Sequence, residues 1–586
     1  MTFDSEIPYV LLDDQQTGIT RFFSDPIKII QAHHPEDLES AFESIELAQK
    51  SGHYLAGFLS YELGYLLEPS LRDLWQECEA PLLKLGVFET APERAPGDCL
   101  YTAETPNIAL KPSWSLEDYK ARFRKVQDYL QAGDVYQINL TFLMTSKSDA
   151  KAHQLYAAFR RTQPGRYGGL VNLGETEIIS FSPELFFEKT DMTMRMRPMK
   201  GTRPRLPNAI SDQALLEQMR GEPKSQAENL MIVDLLRNDL SRLCEAGSVT
   251  VPELFALETY PTLHQMTSQV EGRLQKNKNW QEIFTGLFPC GSVTGAPKIR
   301  AMEIIKGLED RPRRAYCGSI GYIMPSGEAC FNVAIRTLQK TGPDIRYDVG
   351  SGIVLDSDAE DEYRECLLKA RILTAPKAGF FETFRWDIKN GHQRLAAHKA
   401  RFLKAAQAFQ VNIHSQDIDA LLDDATFENE DIPYRVRLSY DFLSGLLLET
   451  SPLLDLALPL KIALSDYRLL SRWQTTAHKV EARNFYDGER RRLKSLLGID
   501  EVLFLNKEDQ LCEGSFTSLF IEENGKLITP PLSEILPGIF RDEMIEQGRV
   551  KVEPVTFERF RAAENVYVGN SLRGLMQAEL IDHQLH

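Results

Sequence analysis

The amino-acid sequence predicts two successive α+β domains, and three observations carry that expectation. Stretches with the two-residue alternation of strands and stretches with the 3.6-residue period of helices follow one another along its length. The texture breaks once, near Leu373-Thr-Ala-Pro-Lys-Ala-Gly379, where an acidic helical pattern meets a proline and the strand-like "GFFETFRWDI" begins. The 586 residues, 43% of them apolar and 26% charged, have the composition of an ordinary globular protein. A first domain is therefore expected over 1–375 and a second over 376–586.

Bulk properties exclude several classes. The formal net charge of −17 argues against a nucleic-acid binder, while leaving room for a local cationic pocket. Eight cysteines stand without CxxC spacing, so neither a zinc site nor a disulfide framework is expected, and a reducing cytoplasm is. The opening "MTFDSEIPYVLLDDQQ" has no basic and apolar leader. No run approaches the roughly 18 apolar residues of a membrane span, so no membrane association is expected.

Taken in order, the first domain offers a helix at "SLEDYKARFRKVQDYLQAG". Ser115 and Asp118 can form a capping box, Leu116, Tyr119, Phe123, Val126 and Leu130 recur at helical spacing, and Gly133 can end it. "TEIISFSPELFFEKT", "RAYCGSIGYIM", "ACFNVAIRTLQK" and "DIRYDVGSGIVL" read as strands. One large α+β domain, or two sheets sharing one, fits this mixture. In the second domain "EVLFLNKEDQLCEGSFTSLFIEENGKLITPP" reads as strand, turn, strand, turn, strand.

Four features of the first domain bear on chemistry. In "MRPMKGTRPR" Lys200 stands among Arg197, Arg203 and Arg205, and burial or nearby cations would make it a nucleophile. On a strand those arginines point to the other face, which leaves a plain strand-end lysine as the alternative. In "DSDAEDEYRECLLKAR" Glu362 and Glu365 share a helix face, suiting either a hard cation or a solvated acidic first turn. "AENLMIVDLLRNDLSR" leaves Glu228 as a candidate ligand, with Asp234, Arg237 and Asp239 read as ion pairs. The small-residue loops "PCGSVTGAPKIRAMEII" and "DVGSGIVLDS" offer backbone amides to an anion.

In order, SYELGY (60–65), GDVYQINLT (133–141), SFSPELF (180–186), RPMKGTRPR, AENLMIVDLLRNDLSR, PCGSVTGAPKIRAMEII, YCGSIGY, FNVAIRT and GSGIVLDSDAEDEYRE resemble the chorismate-utilising enzymes over about residues 10–375. The resemblance implies an α+β domain of two packed sheets with the site between them. The PxKGT form of the lysine segment is similar to aminodeoxychorismate synthases, where anthranilate synthases typically carry alanine. It implies that Lys200 attacks position 2 of chorismate, that Glu184 protonates the leaving hydroxyl, and that ammonia then adds at position 4. Amination at position 2, as in anthranilate synthesis, is the alternative. The resemblance also implies Mg²⁺ on Glu228 and Glu365, with Glu362 directly or through water. Its chorismate contacts fall on Gly201, Thr202, Tyr316, Arg336, Gly350, Ser351, Gly352 and Lys369, with His264 and Thr294. For the last two, a core histidine and a helix N-cap are the alternatives. No G-x-C-x-G glutaminase elbow occurs, so ammonia is expected free or from a separate glutamine amidotransferase subunit. "YVLLDDQQ" departs from the tryptophan pocket of related enzymes, and inhibition by tryptophan is not expected.

In the second domain Lys479 suits a carbonyl-bonding lysine or an exposed helical one, and "LCEGSFTSLFI", "ILPGIFRDEMIEQG" and "VGNSLRGL" suit turns or a phosphate cradle. ETFRW (382–386), HKARFLKAA (398–406), the HK…R..YD run, LNKEDQLCEGS, LPGIFR and GNSLRGL together resemble class IV pyridoxal-phosphate enzymes, above all aminodeoxychorismate lyase. That resemblance implies an α+β domain of fold type IV, covalent attachment of pyridoxal 5′-phosphate to Lys479, and Glu513 on the pyridine nitrogen. It implies phosphate contacts from Arg401, Gly538, Ile539, Asn570 and Ser571. Dimerisation through this domain is implied too. Val480-Glu481 and Ser518 depart from the commoner residues, which bears on substrate preference. A class IV aminotransferase or a non-catalytic docking domain is the alternative.

Overall fold

Strand Tyr54–Leu59 shows how the first unit is layered. Ala56 and Phe58 face one apolar cluster, where they meet Val10, Val171 and Ile178 of another sheet, whereas Leu55 and Leu59 face a second cluster with Phe42, Ile45 and Phe284 of helices. The period of two thus buries both faces of the strand, one against a sheet and one against helices. In this computed structural model the described residues are 3–15, 17–100, 106, 108–160, 165–204, 209–259, 263–370, 373, 379–409, 411–427, 429, 431–441, 445–469, 479–480, 484–531 and 536–581. The chain divides into two units, the first chiefly Met1–Gln15, Ile19–Leu100 and Pro106–Thr374, the second chiefly Ala375–His586.

The first unit holds two antiparallel sheets. One runs Gly295–Ala296, Gln137–Lys147, Asp344–Ile353, Thr337–Thr341, Thr176–Ser182, Tyr167–Asn172, Tyr9–Asp14, Ile19–Ser24, with Lys111–Pro112 beside Gln137–Lys147. The other runs Met199–Pro204, Leu263–Arg273, Thr193–Arg197, Leu185–Thr190, Ala329–Asn332, Ser319–Ile323, Tyr54–Leu59, Leu83–Phe88, Lys28–Ala32, with Thr250–Thr259 beside Leu263–Arg273. Helix Leu116–Gln131 begins at the expected capping box: Asp118 N donates to Ser115 Oγ at 3.2 Å and Ser115 N to Asp118 Oδ2 at 3.0 Å. Its buried face is Tyr119, Phe123, Val126 and Leu130.

The second unit has a four-stranded antiparallel sheet, ordered Gly391–His392, Phe380–Asp387, Tyr434–Asp441, Gly445–Pro452. Its larger sheet is mixed, ordered Leu511–Gly514, Glu501–Asn506, Leu460–Leu469, Gly574–Leu580, Asn565–Asn570, Ser518–Glu523, Lys526–Thr529, Val550–Val552. Leu511–Gly514 also pairs with Ser518–Glu523, through Glu513 and Ser518, so six of these strands close a ring. Ile462, Leu464, Leu503, Leu519, Ile521 and Val568 belong to the apolar cluster of those strands.

Candidate functional sites

Glu184 owes its position to a change of sheet. Strand Thr176–Ser182 lies in the first sheet and Leu185–Thr190 in the second, so Pro183 and Glu184 form the crossover. The chain crosses back between Ala329–Asn332 and Thr337–Thr341, and Arg336 stands in that return with a left-handed φ of 53°. The crossovers are tied together: Val333 N donates to Glu184 O and Phe181 N to Arg336 O, both at 3.0 Å, and Ser182 Oγ donates to Val333 O at 2.6 Å. Glu184 itself is 4% exposed. Its side chain accepts from Ser292, and its Oε1 has no partner among the described residues. Burial pushes its pKa up to about 7, while the Ser292 hydrogen bond and the charges of Lys200, Arg336 and Lys369 limit the rise. One protonatable carboxyl therefore sits among three cations.

Lys200 lies on the edge strand Met199–Pro204, where the register shifts at Gly201, whose φ is 64°. This bulge re-aims the lysine. Its Nζ stands 3.4 Å from the point a Cβ on Gly352 would occupy. The neighbouring arginines are neutralised elsewhere, Arg203 by Glu222 at 3.0 Å and Arg197 by Glu253 at 3.3 Å and by Glu258. Simple alternation does not govern Arg197, Lys200 and Arg203, because Arg197 ends the preceding strand and the bulge at Gly201 interrupts the alternation between Lys200 and Arg203. Arg205 and the side chain of Thr202 lie outside the described residues.

Gly350–Gly352 is not the loop that its composition suggests. It lies within strand Asp344–Ile353, with Gly350 opposite Thr141, Ser351 opposite Leu140 and Gly352 opposite Asn139. A Cβ on Gly350 would stand 2.6 Å from Thr141 Cγ2, so the glycine serves close approach of two strands. A Cβ on Gly352 would meet Gln137 Nε2 at 3.1 Å as well as the lysine, so this glycine clears room for both. Lys369 Nζ donates to Gly350 O at 2.9 Å, and Ser351 Oγ bonds the Tyr119 hydroxyl at 3.1 Å. Thr294 is not the N-cap of the helix that follows: its hydroxyl donates to Cys290 O and Gly291 O, both at 3.2 Å, it ends the short 3-10 turn Gly291–Val293, and Pro297 is at the N-cap of helix Lys298–Leu308. His264 is fully buried opposite Arg203, and Tyr316 is packed in the apolar cluster under the helices.

The three carboxylates expected to hold Mg²⁺ do not form a cage. Glu362 and Glu365 share helix Ala359–Ala370, but Glu362 accepts from Ser357 Oγ at 2.7 Å and Glu365 pairs with Lys369 at 2.7 Å. Burial, with the charge of Glu365 added, raises the pKa of Glu362. Glu228 is on the separate helix Pro223–Ser241, and no three His, Cys, Asp or Glu among the described residues are grouped to hold a metal. The ion-pair reading of the same helix does hold, with Arg237 on Asp234 at 2.9 Å and Lys298 on Asp239 at 2.6 Å. Gln137 escaped sequence reasoning. It is fully buried, and neither amide atom has a partner among the described residues, yet a glutamine within an apolar strand carries no distinguishing pattern.

In the second unit a cavity of 370 Å³ is lined by Lys479, Glu513 and Arg401, by Gly538 and Ile539, and by Asn570 and Ser571. Lys479 precedes Val480, which bridges to Phe380, and its ammonium sits 4.8 Å from the centre of the Phe381 ring; it is not on a helix. Glu513 stands at the closure of the ring of strands and accepts from the Tyr486 hydroxyl at 2.7 Å. Behind it, buried Glu501 accepts from Ser515 N and Oγ, Phe516 N, Thr517 Oγ1 and Val502 N, holding the turn between Glu513 and Ser518. Gly538 is at the N-cap of helix Ile539–Glu546, and the start of that helix, Gly538 to Phe540, lines the cavity. Arg401 forks onto Glu382, with Nε at 2.6 Å and Nη2 at 2.8 Å, and also donates to Pro537 O. Sequence reasoning missed Glu382, His398, Arg435, Arg437 and Arg490, the last four lining the same cavity. A lysine, a fixed carboxylate, an arginine and a helix N-terminus around this volume fit the donor needs of pyridoxal phosphate.

Two antiparallel sheets exchanging strands around a buried acid and a lysine, with a lysine-lined cavity in a further unit, define the class. The chain belongs to the chorismate-binding enzymes, whose family model matches residues 7–375. A model of the class IV amino-transferases matches residues 379–581. More particularly, the chain is 41% identical over 270 residues to aminodeoxychorismate synthase component 1 of Klebsiella aerogenes, a match covering 46% of this chain and 60% of that one. It is 41% identical to the component 1 of Escherichia coli K12, covering 44% and 57%. The matches thus span about 60% of the length of these relatives. The fold is shared with anthranilate synthase component I of Streptococcus pneumoniae, at a TM-score of 0.51 and 24% identity over 63% of this chain and 90% of that one. It is shared with the menaquinone-specific isochorismate synthase of Escherichia coli, at 0.50 and 18% over 64% and 92%. No described helix is long and apolar enough to cross a membrane.

Proposed function

We propose that the chain makes 4-aminobenzoate from chorismate in two steps, the first in domain 1–375 and the second in domain 376–586. The observation that carries the first step is the pairing of a buried carboxyl of pKa about 7 with the ammonium of Lys200 in one site. Lys200 Nζ gives one proton to solvent and, as the free amine, forms a bond to position 2 of chorismate while the bond from position 4 to its hydroxyl breaks. Glu184 gives its proton to the departing oxygen, so water leaves and Glu184 is a carboxylate. Ammonia then bonds position 4, the lysine leaves position 2 as a neutral amine, and Glu184 recovers a proton from the new ammonium. Arg336 and Lys369 offer their charges to the substrate's carboxylates, beside Gly201, Thr202, Gly350, Ser351 and Gly352. His264, Thr294 and Tyr316 support this site from its buried side.

In the second step, pyridoxal phosphate supplies an electron sink for the carbon that loses a proton. Lys479 would hold the cofactor and then carry that proton, Glu513 would face the pyridine nitrogen, and Arg401, Gly538, Ile539, Asn570 and Ser571 would hold the phosphate. Arg435, Arg437 and Arg490 give the cavity the charge that a two-carboxylate substrate needs. Pyruvate leaves and the ring becomes aromatic.

Ammonia would come from a separate glutamine amidotransferase subunit, and the second domain would pair two copies of the chain in the cytoplasm. No step above is routed through Mg²⁺, since Glu228, Glu362 and Glu365 are not grouped among the described residues. EDTA tests its part: loss of chorismate consumption that Mg²⁺ restores means that these carboxylates hold the ion with substrate bound, and undiminished consumption that they do not. The deciding experiment incubates the pure chain with chorismate, ammonia, Mg²⁺ and pyridoxal phosphate and identifies products by mass. 4-Aminobenzoate with pyruvate is expected. Anthranilate would overturn the role of Lys200, and an aminated product without pyruvate would overturn the second step.

A further inference from the structure

The cavity of the second unit contains a buried nitrogen that the proposed roles leave unused. His398 is 1% exposed, lies on helix Leu395–Ala408 one turn before Arg401, and lines the cavity with it. Its Nδ1 is 2.7 Å from Glu382 Oε2, on the carboxylate that also receives the Arg401 fork. A carboxylate only accepts, so Nδ1 carries the hydrogen, and in the neutral ring Nε2 is a bare acceptor. That Nε2 is buried and has no partner among the described residues. A buried acceptor beside an arginine is costly unless something meets it.

We infer that His398 is a further phosphate-binding residue of this cavity, taking up a proton as a phosphate monoester binds and donating from Nε2 to it. The inference rests on the reading of the cavity as a pyridoxal-phosphate site. Three charged groups face the imidazole: Glu382 from strand Phe380–Asp387, Arg401 from its own helix and Lys479 from the segment before Val480. Farther round the cavity stand Arg435, Arg437, Asp487, Arg490 and Glu513. Without a ligand, burial keeps the ring neutral, the two cations adding to that effect and Glu382 opposing it. A phosphate dianion reverses the balance, because its charge favours the imidazolium. The proton comes from solvent, and no bond to the cofactor is involved.

The test titrates the full chain with 4′-deoxypyridoxine 5′-phosphate, which lacks the aldehyde and cannot bond Lys479. Calorimetry at pH 8 in buffers of different ionisation enthalpy counts the protons taken up. The His398→Gln variant keeps an amide donor near Nε2 but cannot titrate, whereas His398→Asn keeps the Nδ1 bond to Glu382 and removes Nε2. The wild type is expected to take up about one proton more than His398→Gln, and His398→Asn to bind about tenfold more weakly. Equal proton counts with undiminished affinity in His398→Asn would overturn the inference while leaving the cofactor site standing. If the wild type binds neither this probe nor pyridoxal phosphate, by its absorbance near 400–430 nm, the cofactor reading falls and the inference with it. The wild-type proton count is compared with inorganic phosphate as second ligand, so it stands even if a variant fails to fold; no uptake with either ligand also overturns the inference.

Discussion

Glu184 shows what one residue contributes and what it costs. Its pKa of about 7 keeps much of it protonated at neutral pH, as a general acid requires. Chorismate amination, at fixed free ammonia, should therefore lose rate as pH rises through about 7, and Glu184→Gln should remove that limb and lower kcat by roughly a hundred- to ten-thousandfold. The same raised pKa has a stability sign. A carboxyl whose folded value exceeds its ordinary one contributes stability that is fully present below the ordinary value of 4.5 and lost as pH rises through 7, up to about 3 kcal/mol. Glu184→Gln should thus melt higher than the wild type at pH 8, by calorimetry, while losing activity. At this scale the resemblance of their motifs pointed to Lys200 and Glu184, which the structure brings within charge range of each other, although the local sequence left Lys200 open to a plain strand-end reading. Gln137 and His398 are marked by atoms left unpaired by tertiary packing, which leaves no trace in spacing.

Among the elements, strand Asp344–Ile353 separates two uses of glycine. Gly350→Ala pushes a Cβ into Thr141 and the Leu140 carbonyl of the neighbouring strand, and should lower stability by about 1–3 kcal/mol in denaturant titration. In Gly352→Ala the nearest atoms to the new Cβ are the ends of Gln137 and Lys200, at 3.1 Å or more, which can shift, so the melting temperature should stay near wild type while kcat falls about tenfold or more. The strand was legible from its alternation, but the glycines suggested a loop because composition cannot reveal how closely a neighbouring strand approaches. Helix Leu116–Gln131 was legible from cap to buried face, since both its signals are local. The metal expectation is legible only in part at this scale: helix spacing sets Glu362 and Glu365 on one helix, but where Glu228 falls depends on how two helices pack. In the second unit Glu501→Gln should lower stability by about 1–3 kcal/mol, because an amide group replaces an oxygen that accepts from buried donors.

For the whole molecule, the two sets of site residues belong to separate units, and their losses should separate too. Lys200→Ala should abolish amination of chorismate yet leave pyruvate release from supplied 4-amino-4-deoxychorismate, and Lys479→Ala should do the reverse, both followed by mass spectrometry. Loss of both activities in either variant would refute the division of labour. Inside the first unit, the acid and its cationic partner Arg336 stand where the chain passes from one sheet to the other and back. Their separation is set where the two crossovers are laced to each other, through Val333 N on Glu184 O, Phe181 N on Arg336 O and Ser182 Oγ on Val333 O. The seam that joins the sheets is therefore also the jig of the site, and a change at Ser182 would shift the proton donor against the guanidinium without replacing either.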